Sequence, residues 1–193
     1  MPYSQIVGAG HYVPENVVTN HDLEKLIDTS DAWIRERTGI EERRFFTPGK
    51  DTVTSMAREA SLKAIDRAGL QPSDIEFIVF ATITSDYYFP GCGVLLQREL
   101  NLPGIGALDI KNQCSGFIYA LSVADQFIKA GTYKNILVVG SEIQSTFLDL
   151  SDKGRGVAVI FGDGAGAVVL QATDSPAHRI LSTHLHADGR FAE

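Results

Sequence analysis

Apolar and polar positions along the chain alternate between two periods. Residues 5–13 form an apolar opening strand, and residues 22–37 carry a mainly helical pattern. Residues 51–68 follow with Val53, Met56, Ala57, Ala60 and Ala64 at helical spacing, and Gly69 supplies the stop. "FIVFATI" (77–83) is a continuous apolar run of β-formers, as expected of a strand covered on both faces. A helix is predicted over 93–100, a strand over 106–110 and a helix over 115–130, closed by Gly131. "NILVVG" (135–140) reads as another buried strand, and 165–172 and 179–187 as two closing strands. Helices alternating with apolar strands predict a layered α/β sheet whose sites lie beyond the strand ends.

Length and composition narrow the class. With 193 residues, 44% of them hydrophobic, the chain fills one sizeable core. A formal charge of −7 argues against non-specific binding to nucleic acid or an acidic membrane surface. The basic cluster in "RERTGIEERR" is interleaved with Glu36, Glu41 and Glu42, which predicts a salt-bridged surface. No apolar run approaches the roughly 20 residues that span a bilayer, and "MPYSQIVGAG" does not resemble a secretory leader. A cytoplasmic location with reduced cysteines is expected.

Two cysteines then matter as free thiols. Cys92, in "FPGCGVLL", reads as packing. Cys114, in "DIKNQCSGFIYAL", falls between a strand and a helix, where free N–H groups and the helix dipole favour a thiolate. Ser115 and Gly116 keep the turn small, as acyl transfer beside an oxyanion site requires. Position alone leaves both readings open, because free cysteine often merely packs. His184 and His186, two apart in a predicted strand, share a face, but no carboxylate or cysteine cluster completes a metal site. The glycines of "FGDGAGAVVL" precede a strand where a dinucleotide fingerprint needs a helix, so NAD and ATP binding are discarded for a tight turn between strands.

In order along the chain, "GAGHYVPENVVTN", "TSDAWIRERTGIEERR", "FPGCGVLLQ", "DIKNQCSGFIYAL", "RGVAVIFGDGAGAVVL" and "STHLHADG" resemble the β-ketoacyl-acyl-carrier-protein synthase III family of thiolase-like condensing enzymes. The resemblance implies a thiolase-like α/β fold, specifically the N-terminal half of a five-layered αβαβα architecture. It also implies that Cys114 takes an acyl group from acyl-CoA as a thioester, after which malonyl-acyl-carrier protein loses CO₂ and its enolate attacks. Trp33 and Arg155 would hold the two faces of the CoA adenine, with Thr29 and Arg37 nearby. A purine stacks readily on an indole or a guanidinium plane, although a lone tryptophan is otherwise more often half-buried packing.

Phe89 matches a family phenylalanine that reaches into the neighbouring subunit's acyl pocket, which implies a homodimer, and Phe161 matches a lining residue whose other reading is aromatic core. CoA thioester enters as substrate, with no cofactor and no metal. The family's catalytic histidine and asparagine fall in motifs that do not occur in these residues, and none of the five histidines is promoted to replace them. Residues 1–173 are expected to form the half carrying the nucleophile. Residues 174–193 are expected to form a closing strand and the start of a connection to a second half. Without that half the chain is expected to be non-catalytic, with one apolar sheet face uncovered. Lys111, Asn112, Gln113 and Gln144 stand where small or apolar residues are common, which leaves starter length and acceptor open. A related condensing enzyme of acyl-acyl, polyketide or quinolone type and a non-catalytic CoA-binding or dimerisation module are the competing readings.

Overall fold

The computed structural model describes residues 2–191. Strands β1 (Tyr3–Tyr12), β4 (Phe77–Ala81), β5 (Gly106–Ile110), β6 (Asn135–Glu142) and β7 (Gly164–Thr173) form one sheet in the order β1-β7-β6-β4-β5. β4 runs parallel to β5 and β6, whereas β7 is antiparallel to β6 and β1. The central strands are apolar on both sides because both faces are covered.

On one face lie α3 (Val53–Arg67) and α4 (Cys92–Glu99), which bury Met56, Ala60 and Leu96 against Phe80, Val139 and Ala167. On the other, α5 (Gly116–Lys129) sets Ala120, Ala124 and Ile128 against Val79, Val138 and Leu170. The sheet face expected to be bare is therefore covered by α5, and the exposure moves outward to Ile118 on the far side of that helix. Gly69 and Gly131 both take positive φ just past α3 and α5, the left-handed stop that favours glycine.

Thr52 caps α3 by accepting from the Ser55 N–H. From α3, Lys63 and Arg67 donate to the His11 and Ala9 carbonyls at 3.0 and 2.7 Å, blunting the open edge of β1.

Three expectations are corrected. The helical pattern over 22–37 is two short helices, α1 (Asn20–Leu23) and α2 (Asp31–Thr38), because Thr19 and Ser30 each cap a separate start. Flanking them, β2 (Asn16–Thr19) pairs with β3 (Glu42–Phe45), a ribbon with no expected counterpart. The closing strand over 179–187 does not form. After one bridge, Gln5 to Arg179, the segment leaves the sheet edge for α5, where Tyr119 donates to the His186 carbonyl and Ser122 meets Thr183. His184 and His186 thus share no strand face. The glycine turn also differs: it follows the short helix α6 (Arg155–Ala158), and Gly164 and Gly166 already belong to β7.

Three arginines of the basic cluster are paired at the surface as expected, whereas Arg43 is buried and bonds to carbonyls and an amide. Arg35 meets Glu41 at 2.6 Å, Arg37 meets Glu36 at 3.1 Å, and Arg44 meets Glu42 at 3.1 Å. Among the described residues no helix is long and apolar enough to cross a membrane.

Candidate active site

Cys114 is exposed, whereas Cys92 is fully buried, and burial pushes the Cys92 thiol pKa up. The exposure of Cys114 follows from the turn that carries it. β5 ends at Ile110, and a single 3₁₀ turn, Gln113–Ser115, leads directly into α5. Gln113 adopts φ +41, a left-handed conformation costing a non-glycine residue about 1–2 kcal/mol. Ser115 staples this turn, accepting from Asn112 Nδ2 at 3.0 Å and donating to the Asn112 carbonyl at 3.2 Å. Gly116 starts the helix so close to the sheet that an added Cβ would stand 3.3 Å from Ala81 Cβ.

The parallel register sets Ala81 beside Ile110 and Gly140, so the ends of β4, β5 and β6 converge next to Cys114. There they bound a cavity of about 280 Å³. Cys114, Gln113 and Phe117 line it, as do Phe161, Gly162 and Gly164. Ala81, Gly140, Ser141, Glu142 and Gln144 complete it. Phe161 is half-buried and lines the cavity. Gln113 and Gln144, singled out as departures, both line it.

Two carboxylates that sequence reasoning passed over hold the walls. Asp163, 5% exposed, accepts from the Phe46 and Ser145 N–H groups at 2.7 and 2.8 Å and from the Ser145 hydroxyl at 2.5 Å. Glu142 accepts from the Ile83 N–H at 2.9 Å and from the Thr82 and Thr84 hydroxyls at 3.2 and 2.5 Å, fixing the loop after β4. Only the acidic residue of "GDG" gave any signal, as a turn former. Glu142→Ala leaves these three donors without their acceptor, and a loss of about 2 kcal/mol in urea unfolding is expected.

Three of the four residues matched to CoA, Thr29, Trp33 and Arg155, line a second depression of about 250 Å³ together with Asp28 and Ser30. Ser30 accepts from the Trp33 N–H at 3.1 Å and so starts α2 at this point. One turn later, Arg37 brings its guanidinium carbon 4.5 Å from the Trp33 ring centroid, and Arg155 reaches the same ring at 4.8 Å. Arg155 Nη1 also donates to the Asp28 carbonyl at 2.8 Å. Thr29 Oγ1 is buried without a hydrogen-bond partner. Trp33 and Arg155 thus contact each other through cation–π attraction. α6 and the loop that follows it lead from Arg155 to Phe161 and so join the two depressions along the chain.

Phe89 stands apart from the Cys114 cavity, 80% exposed beside Tyr88, which is 95% exposed. Nearby, β5 is an outer strand of the sheet, with Leu108 partly open to solvent.

Comparison with known proteins agrees with this geometry. The profile of the family described as 3-oxoacyl-[acyl-carrier-protein] synthase III matches residues 108–189, which include the cysteine turn and the glycine turn. A β-ketoacyl-[acyl-carrier-protein] synthase III of Thioalkalivibrio sulfidiphilus is 49% identical over 191 residues, 99% of this chain and 58% of that protein. The crystal structure of 3-oxoacyl-[acyl-carrier-protein] synthase III from Aquifex aeolicus superposes with a TM-score of 0.93 at 46% identity, covering 98% of this chain and 60% of that one. A priming β-ketosynthase of a polyketide pathway superposes at 0.85 with 36% identity, covering 90% of this chain and 51% of that one. The chain spans about 58% of the length of the curated relatives it matches. It has the thiolase-like fold and, over nearly its whole length, is similar to the N-terminal part of β-ketoacyl-acyl-carrier-protein synthase III proteins.

Proposed function

We propose that this chain supplies the nucleophile and the CoA site of a β-ketoacyl-acyl-carrier-protein synthase III that starts fatty-acid synthesis. The observation carrying the proposal is an exposed Cys114 on a strained turn at the converging strand ends, with the Trp33 depression joined to its cavity wall through the segment from α6 to Phe161.

The chemistry follows in two steps. The Cys114 thiolate attacks the carbonyl of acyl-CoA, a tetrahedral oxyanion forms, and the CoA thiolate leaves with the acyl group now on Sγ. The Cys114 N–H, at the turn opening α5, is one donor to that oxyanion. Malonyl-acyl-carrier protein then loses CO₂, and the electron pair of the broken C–C bond forms the new bond to the acyl carbonyl carbon. Collapse of the second tetrahedral intermediate returns Cys114 as thiolate. A thioester suits this sequence because it keeps its carbonyl electrophilic between steps. Histidine and asparagine for decarboxylation come from the rest of the protein, to which residues 174–193 begin the connection. Residues 1–173 form the half that holds the nucleophile.

Trp33 and Arg155 take the adenine, with Thr29 and Arg37 at its edge, and Phe161 lines the acyl cavity. Phe89 and the outer strand β5 meet a second copy of the protein, so that Phe89 completes the partner's acyl pocket; exposed aromatic surface of this kind marks an interface. No cofactor beyond the CoA substrate is required, and the free thiols fit a reducing cytoplasm.

The test is condensation by the protein expressed from its native gene, offered acyl-CoA with malonyl-acyl-carrier protein or with malonyl-CoA. A β-ketoacyl product on the carrier protein, absent from Cys114→Ala, is expected. Product with malonyl-CoA alone would instead favour the polyketide-type reading suggested by the priming synthase. No product together with retained CoA binding would favour the non-catalytic module.

A further inference from the structure

Trp33 and Arg155 come from segments far apart in the sequence, yet they meet at 4.8 Å. Some of their alignment is local, since Asp152 accepts from the Asp28 N–H at 2.7 Å and Arg155 donates to the Asp28 carbonyl. Beneath them Leu23, Ile27 and Ile34 pack against Ala158 and Val159. Apolar contact of this sort holds elements together without fixing direction.

Arg43, on β3, lies under this junction and is only 6% exposed. Its Nη2 donates to Asn20 Oδ1 at 2.7 Å and to the Val159 carbonyl at 3.1 Å, and its Nη1 donates to the Val18 carbonyl at 3.3 Å. Asn20 is itself buried and passes the connection on. Its Nδ2 donates to Asp31 Oδ1 at 2.8 Å and to the Ile40 carbonyl at 2.7 Å, which lie at the two ends of α2. Val159 directly follows α6, the helix that begins with Arg155. One planar guanidinium thus joins the helix bearing Trp33 and Arg37 to the helix bearing Arg155.

Burying a cation against two carbonyls and an amide costs free energy that an apolar residue would not incur. Burial also pulls the Arg43 pKa down. What arginine adds at this place is several donors in a rigid fork, which an apolar side chain lacks and a lysine cannot reproduce.

We infer that Arg43 is a positioning residue for the purine clamp, fixing α2 against α6 so that Trp33 and Arg155 accept the nucleotide end of CoA. The inference rests on the CoA reading above. Arg43 does not line the Cys114 cavity, so its effect falls on capture of the nucleotide and spares the chemical step.

The test uses the protein expressed from its native gene, with acylation of Cys114 followed by intact mass for two donors. Acetyl-CoA carries the nucleotide, and S-acetyl-pantetheine has the same thioester without it. Arg43→Met is expected to raise the KM for acetyl-CoA by about tenfold or more, with the limiting acylation rate and the S-acetyl-pantetheine rate unchanged. Asp31→Ala cuts the far arm from the surface and is expected to give the same pattern at about two- to fivefold. Equal losses with both donors would overturn the inference in favour of a general folding role, and an unchanged KM for acetyl-CoA would overturn it outright. Should Arg43→Met fail to fold, Arg43→Lys and Asp31→Ala decide by the same criterion. If the unaltered protein is acylated by neither donor, the functional proposal fails separately. CoA affinity by calorimetry then decides for Arg43: about tenfold weaker binding in the variant sustains the inference, while equal affinity, or no binding by the unaltered protein, overturns it.

Discussion

Iodoacetamide is expected to alkylate Cys114 in the native protein at least about a thousandfold faster than Cys92. Cys114 stands exposed on its turn, and any opening that frees it is already made. Cys92 begins α4 with none of its surface accessible, packed in the core cluster with Phe80 and Leu96. Its thiol pKa is also raised, chiefly by burial, which lowers the fraction of reactive thiolate at neutral pH. Reaction at Cys92 therefore waits for an opening whose free energy approaches that of global unfolding, about 5 kcal/mol or more for a domain of this size. Peptide mapping of alkylated protein with and without urea measures the ratio. Comparable labelling of the two cysteines in the native state would contradict the packing described for α4 and the exposure described for Cys114.

Gly10→Val is expected to prevent folding. α3 crosses β1 so closely that a Cβ on Gly10 would lie 2.2 Å from the Ala60 carbonyl oxygen and 2.6 Å from the Ala64 nitrogen. On Gly8 it would lie 2.1 Å from the Ala64 carbonyl oxygen. These are backbone atoms of one helix, so no side chain can rotate away, and relief requires lifting α3 off the sheet. That separation would open the cluster of Met56, Ala57, Ala60 and Ala64 against Val139, Ala167 and Val169. Overpacking commonly costs about 1–3 kcal/mol where side chains can adjust, and a rigid backbone clash exceeds that range. Gly10→Ala is accordingly expected to lose about 4 kcal/mol and Gly10→Val the cooperative transition itself, read by circular dichroism and urea unfolding. A Gly10→Val protein that unfolds at the urea midpoint of the unaltered chain would refute the close packing of α3 on β1.

Strands covered on both faces were the most legible parts of the fold. Phe77–Ala81 and the apolar runs of β6 and β7 are continuous stretches that burial dictates, whereas the edge strand Gly106–Ile110 has no fully buried residue. α3 and α5 are long enough for helical spacing to be unambiguous, and each is followed by a glycine. The β2–β3 ribbon was illegible because its strands are only four residues long and are separated by two helices. Residues 179–187 alternate like a strand, yet the hydroxyls of Tyr119 and Ser122 on α5 draw them off the sheet edge. Local pattern does not report such tertiary competition.

The candidate site divides in the same way. Cys114 was legible as a junction, and the family resemblance supplied Trp33, Arg37, Thr29, Arg155, Phe89 and Phe161. Glu142 and Ser141 at the end of β6 reach the cavity only through the parallel register of β4 and β6, which one-dimensional spacing cannot give. The left-handed Gln113 had no signal either, since that conformation is ordinarily taken by glycine, asparagine or aspartate. Arg43 looked like one more member of a surface charge cluster until β3 turned it inward.

The central claim, that Cys114 is the acyl-accepting nucleophile, is tested most directly by intact mass and peptide mapping of the natively expressed protein after incubation with acetyl-CoA, beside Cys114→Ala. A single acetyl adduct, mapped to Cys114, labile to hydroxylamine and absent from the alanine variant, is the predicted result. No adduct, or one that persists in Cys114→Ala, would contradict it.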